Sequence, residues 1–140
     1  MKFSKRTRYG LQFLLHLGLQ WPRYIPVADV CEKENLPQKF LEAVAADLRK
    51  SGLVKVKRGA GGGYCLSRSL KEISFFDVTE VLEPDPDSVT NSPQKLSGNE
   101  KAVDLLVNEV YAGVKSGLRD VSLDRLLALY QKDNSILYYI

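Results

Sequence analysis

Two groups of residues in this chain have the types and spacing to do chemistry. The first is Lys55, Lys57 and Arg58, at the edge of the glycine-dense stretch Arg58-Gly59-Ala60-Gly61-Gly62-Gly63. The second is Gln38, Lys39 and Glu42, set three and four residues apart, which places them on one side of a helix. Glycine lets a backbone approach a partner closely, and the neighbouring cations supply charge at the same point. The basic, glycine-dense tip suits a nucleic-acid ligand; Gln38, Lys39 and Glu42 are polar residues on the outer face of the helix before it. Neither suits catalysis. His16 is the single histidine, and no Ser/His/Asp or Cys/His pattern accompanies it. The glycine run lacks the Lys-Ser/Thr of a phosphate-binding loop and lies between strand-like runs rather than before a helix. No enzyme activity is expected.

The elements that must position these residues follow from periodicity. A first helix is predicted from about Ser4, a plausible N-cap, to Gln20, with Tyr9, Phe13, Leu14 and Leu17 as its apolar face. Trp21-Pro22 ends it. Pro26 fits the first turn of a second helix, about Val27 to Glu34, with Val27, Val30 and Cys31 inward. After a turn at Asn35-Leu36, Pro37 starts a third helix that runs to Ser51 and is closed by Gly52. Phe40, Leu41, Val44, Ala45 and Leu48 form its buried face; Gln38, Lys39, Glu42, Ala43 and Asp47 form the other, with Asp47 read as solvated. Leu53–Lys57 and Tyr64–Leu66 then alternate as the strands of a hairpin with a basic tip. Helix, turn, helix and basic hairpin make a winged helix-turn-helix, which points to duplex DNA.

A fourth helix is predicted over about Ser74 to Leu82, capped by Ser74 and presenting Phe75, Val78 and Val81 or Leu82. Residues 83–98 hold three prolines and little apolar content, as a linker does. Asn99 is read as the cap of a long helix over Glu100 to Gly117. Val103, Leu106, Val107, Val110, Val114 and Leu118 recur there at three- and four-residue steps. Such a stripe on a helix beyond a compact domain favours self-association over packing back on its own domain. A last helix, about Ser122 to Lys132, shows Leu123, Leu126, Leu127 and Tyr130, and Ser135 to Ile140 is an apolar, aromatic tail. The fold class is mostly α with a small β-hairpin: a winged-helix domain over 1–82, a linker over 83–98 and a dimerisation region over 99–140.

Charge supports the same division. Residues 1–68 hold 13 Lys+Arg against 5 Asp+Glu, or +8; residues 69–140 hold 7 against 12, or −5. A basic half is an electrostatic footprint for phosphates. The first apolar stretch, Leu11 to Leu19, is interrupted by Gln12 and His16 and has no cleavage signal after it. No run is long enough to span a membrane. Two cysteines, Cys31 and Cys65, argue against a disulfide scaffold, so a cytoplasmic protein without a membrane partner is expected.

The chain resembles the Rrf-type winged-helix repressors, the group of iron–sulfur, nitric-oxide and cysteine-metabolism regulators. The matching pieces are S-K-R-T-R-Y-G at Ser4–Gly10, L-P-Q-K-F-L-E at Leu36–Glu42 and L-R-K-S-G-L-V at Leu48–Val54. R-G-A-G-G-G-Y at Arg58–Tyr64, I-S-F-F-D-V at Ile73–Val78 and the following V-L-E complete them. The likeness is dense over residues 1–83 and architectural beyond. It implies a homodimer, joined by the long helix, that represses by reading a pseudo-palindromic operator in double-stranded DNA. It implies helix 37–51 in the major groove and the wing, residues 54–67, at the minor groove. By that resemblance Gln38, Lys39 and Glu42 contact base edges, and Arg58 is the wing-tip arginine, with Lys57 beside it. Ser4, Lys5, Arg6, Arg8 and Tyr9 then fall where helix one contacts phosphate. Plainer readings stand beside these: Glu42 as a helix-surface ion-pair partner, Gln38 as a first-turn residue, Tyr9 and Tyr64 as core or hinge packing.

Many members of that family hold an iron–sulfur cluster on three closely spaced cysteines after the fourth helix. Residues 83–98 contain no cysteine and no histidine, and the start of helix one offers Arg6-Thr7-Arg8 rather than a carboxylate. No cofactor is expected. Cys31 reads as a small core residue. Cys65 reads as strand filler or as a redox-sensitive thiol. His16 reads as packing. The cysteine-metabolism branch implies another input, a cysteine synthase-like enzyme that captures the carboxylate of a C-terminal isoleucine, here Ile140; the alternative is a tail packed on the dimer. The competing function is a winged-helix protein–protein module without sequence-specific DNA binding.

Overall fold

The computed structural model describes residues 2–84 and 97–138. Its elements are α1 (Lys5–Leu19), α2 (Val27–Glu34), α3 (Gln38–Lys50), β1 (Val54–Lys57), β2 (Gly63–Leu66), α4 (Phe75–Leu82), α5 (Gly98–Arg119) and α6 (Asp124–Tyr138).

Each boundary has a local cause. The Ser4 hydroxyl accepts from the Thr7 amide and starts α1. Pro26 and Pro37 sit at the N-caps of α2 and α3, one position outside the first turn. Asn35, in the left-handed region at φ 54°, ends α2, and Gly52 at φ 84° turns the chain out of α3. Ser74 and Asp77 form a reciprocal capping box at α4. The cap of α5 is Ser97, not Asn99, because Ser97 and Glu100 satisfy each other's backbone amides in a second such box. That box moves Ser97 and Gly98 out of the predicted linker. Helix α6 also runs on past Lys132 to Tyr138, over part of the expected tail. Ile140 and residues 85–96 lie outside the described residues.

The core forms where α1, α2, α3, α4 and the hairpin meet. Phe13, Leu14, Leu17, Leu41, Val44, Leu48, Leu66 and Ile73 are wholly or almost wholly buried. Strands β1 and β2 pair antiparallel with Lys55 opposite Cys65 and Val56 opposite Tyr64. Ile25 adds a bridge to Tyr64 through two 2.8 Å backbone bonds, which ties the wing to the segment between α1 and α2. Gly63 is required there: a Cβ would lie 2.3 Å from the Ile25 backbone, and φ is 142°. Tyr9 packs edge-on against Phe40 and Phe13 against Tyr64, so both tyrosines are packing residues.

The region after α4 also reaches this core. Leu123 is buried within it, and its amide bonds the Ile73 carbonyl at 2.8 Å. Helix α5 behaves otherwise: none of its side chains is buried. No described helix is long and apolar enough to cross a membrane.

Candidate nucleic-acid interface

Helix α3 carries the first group of candidate contact residues. Leu41, Val44, Ala45 and Leu48 are buried, and that fixes the helix with Gln38, Lys39, Glu42 and Ala43 exposed. The Gln38 amide donates to Glu42 at 3.2 Å, so two of the expected base-reading side chains are held together at the start of the helix. Lys39, exposed between them, carries the positive charge of the group.

The wing carries the second group of candidates. Lys55, Lys57, Arg58, Gly59 and Ala60 are exposed at the end of the hairpin. The Lys55 and Lys57 ammonium groups each lie 5.9 Å from the centre of the Tyr24 ring, within cation–π reach. Tyr24 was not legible as part of this cluster from sequence. Only the bridge between Ile25 and Tyr64 brings it beneath β1.

The start of α1 separates into two kinds of residue. Lys5 and Arg8 are exposed, as a phosphate contact requires. The Ser4 hydroxyl is committed to its cap, and its backbone amide donates to the Glu83 carboxylate at 2.7 Å. The Arg6 guanidinium pairs with Asp47 on α3 and donates to the Leu82 carbonyl at 3.3 Å. Asp47 is therefore ion-paired, not simply solvated. Sequence reasoning missed both contacts because the partners lie 41 and 76 residues apart in the chain. Burial acts to raise the Glu83 carboxyl, but the nearby Thr7 hydroxyl and the Ser4 amide that donates to it outweigh burial and hold the group below its ordinary range.

The thiols and the histidine lie inside. Cys65 is 1% exposed with its Sγ against the Pro22 carbonyl, and burial pushes the thiol up, away from the reactive thiolate. Cys31 is buried, and burial together with the Glu42 carboxylate raises it as well. His16 is buried with Nδ1 3.0 Å from Glu34. Among the described residues no three His, Cys, Asp or Glu side chains gather to hold a metal ion.

Helix α5 presents Val103, Leu106, Val107 and Val110 at 44–61% exposure, with Leu105 and Tyr111 also exposed; Val114 is half-buried. Its C-terminal end is fastened to the core region by Arg119 stacked over Phe76 at 4.2 Å.

Residues 3–128 match the family model Rrf2, described as an iron-dependent transcriptional regulator. The HTH-type transcriptional regulator IscR of Vibrio atlanticus is 28% identical over 98% of this chain and 79% of its own length. The structure of CymR, the global cysteine regulator of B. subtilis, superposes with a TM-score of 0.72 at 29% identity, over 92% of this chain and 98% of that one. IscR of T. potens superposes with a TM-score of 0.73 at 28% identity, over 95% and 90%. The iron of the family description does not fit the thiols of this chain. Both are buried in the winged region, on α2 and β2, and Cys65 faces a backbone carbonyl rather than a second thiol. The matched span, the winged fold and the exposed basic hairpin agree, and the chain belongs to the Rrf2 family as a DNA-binding transcriptional regulator.

Proposed function

We propose that the protein is a homodimeric repressor that reads a pseudo-palindromic operator, with α3 in the major groove and the β1–β2 wing at the minor groove. The observation that carries this reading is the two-sided character of α3: Leu41, Val44, Ala45 and Leu48 anchor one face, while Gln38, Lys39 and Glu42 stand exposed on another. A buried face gives the helix a fixed pose, and an exposed polar face at its N-terminal end is what the major groove receives. Arg58 at the exposed wing tip suits a narrow A·T-rich minor groove, where negative potential concentrates. The bare stripe on α5 supports pairing with a second copy, which would set two recognition helices about one helical turn apart.

In this proposal the protein works in the cytoplasm, without catalysis and without an iron–sulfur cluster. A subsidiary element is capture of Ile140 by a cysteine synthase-like enzyme, supported by the likeness to a cysteine regulator. Deleting Ile140 should abolish that complex; an unchanged complex would remove the element. Hydroxyl-radical footprinting on the protein's own upstream promoter tests the main reading. Two protected half-sites with centres about 10 bp, or a multiple of it, apart are expected. A single unsymmetrical patch, or none, would contradict it.

A further inference from the structure

We infer that Arg6 is a positioning residue of the recognition helix rather than a phosphate contact. Its guanidinium joins Asp47 on α3 to the terminal carbonyl of α4, Leu82. The inference rests on the DNA-reading proposal and adds to it the means by which α3 is held in its pose.

Four observations carry it. The Arg6 and Asp47 side chains are part-buried, at 35% and 38% exposure, whereas Lys5 and Arg8 fall among the exposed residues. The guanidinium uses two directions of its planar fork at once, one toward a carboxylate and one toward a backbone carbonyl. The junction is doubled beside it, since Glu83, next after Leu82, accepts from the Ser4 amide at 2.7 Å. The start of α1, the middle of α3 and the end of α4 are thus joined by polar contacts outside the apolar core. Finally, Asp47 sits on the helix that must approach phosphates. An unpaired carboxylate there would repel them, and Arg6 neutralises it. Turning Arg6 outward to a phosphate would release that charge against the DNA.

The two roles make opposite predictions for Arg6→Lys. Lysine keeps the charge that a phosphate needs but loses the planar fork that reaches Asp47 and Leu82 together. The experiment is fluorescence anisotropy of full-length wild type, Arg6→Lys, Arg6→Gln, Asp47→Asn and the Arg6→Gln/Asp47→Asn double variant. Each is measured on the upstream promoter and on unrelated duplex, over a salt series. Arg6→Lys and Arg6→Gln should each lose affinity for the promoter by about tenfold, the range of coupled neighbours. In Arg6→Lys, which keeps the charge, the salt slope and the affinity for unrelated duplex should stay at wild-type values; Arg6→Gln leaves Asp47 unpaired and should bind unrelated duplex more weakly as well. The double variant should bind no worse than Arg6→Gln, because Asp47 is then no longer an unpaired charge. Arg8→Gln serves as the contrast and should reduce the salt slope by about one.

Wild-type behaviour of Arg6→Lys, together with a salt slope lowered by about one in Arg6→Gln, would make Arg6 a phosphate contact and overturn the inference. Unchanged promoter binding in both Arg6 variants would overturn it as well. A wild-type protein without preference for the promoter would instead overturn the DNA-reading proposal, and the Arg6 inference with it. Should Arg6→Gln fail to fold, Arg6→Lys carries the decision.

Discussion

Helices α1 and α5 are both amphipathic, yet they treat their apolar residues in opposite ways. Helix α1 buries Phe13, Leu14 and Leu17 completely, whereas α5 leaves Val103, Leu106 and Val110 about 60% exposed. Composition does not explain this, since large apolar side chains supply both stripes, phenylalanine and leucine on α1 and valine and leucine on α5. The difference lies in partners. Helix α1 contacts α2, α3, α4, α6 and β2 within the chain, while α5 packs against α4, where Arg119 stacks over Phe76. The winged region closes its core within one chain; the long helix leaves its apolar stripe open. Monomeric proteins rarely leave such contiguous apolar patches open.

That contrast is open to direct attack. The largest effect should come from the closed region: Leu41→Ala removes a fully buried side chain and should cost about 2–5 kcal/mol, read as a lowered Tm that does not depend on protein concentration. Leu106→Glu should act differently, because Leu106 is 61% exposed in the single chain. It should leave the winged region folded, yield monomers by light scattering and weaken operator binding by about 2 kcal/mol or more, as loss of an interface anchor does. A concentration-independent loss of folding in Leu106→Glu would mean that α5 is needed within one chain.

Smaller effects sharpen the interface itself. Lys39→Ala should relax preference inside the half-site by about 1–3 kcal/mol, read by competition among operator variants. Arg58→Ala should weaken operator binding, reduce preference for A·T-rich flanks and lower the salt slope by about one. Unchanged operator affinity in Arg58→Ala would remove the wing tip from the interface.

The smallest effect concerns pH. Glu83 is held below its ordinary range in the folded state, so its contribution is present above the unfolded carboxylate value and is lost as pH falls through the folded one. Wild type should therefore lose more stability on acidification than Glu83→Gln, by a few tenths to about 1 kcal/mol, the scale of a carboxylate at a helix N-terminus. Equal acid sensitivity would show that the Ser4–Glu83 contact adds nothing.

Much of the closed region was legible because its signals are local. The periodicity of Phe13, Leu14 and Leu17, the Ser74 cap and the strands flanking the glycine run each lie within a few residues of their cause. The exposed stripe on α5 was legible for the same reason. The illegible features are those made by distant pairs. Arg6 looks like any basic residue at a helix start, and only the packing of α1 against α3 and α4 brings it to Asp47 and Leu82. Tyr24 carries no motif, and its place beneath Lys55 and Lys57 follows from the Ile25–Tyr64 bridge. The misplaced cap at Asn99 is of another kind. The Ser97-x-x-Glu100 pattern was present in the sequence, but it lay inside a stretch whose prolines read as linker.

One measurement bears most directly on sequence-specific binding by a pair of chains: fluorescence anisotropy of the full-length protein on its own upstream promoter and on unrelated duplex, over a salt series and with stoichiometry. Tight, selective binding by two protomers per site with a steep salt slope is predicted, because every neutralised phosphate releases counterions. Weak binding that is equal on both duplexes, with a shallow slope, would contradict it and favour a winged helix that binds protein instead.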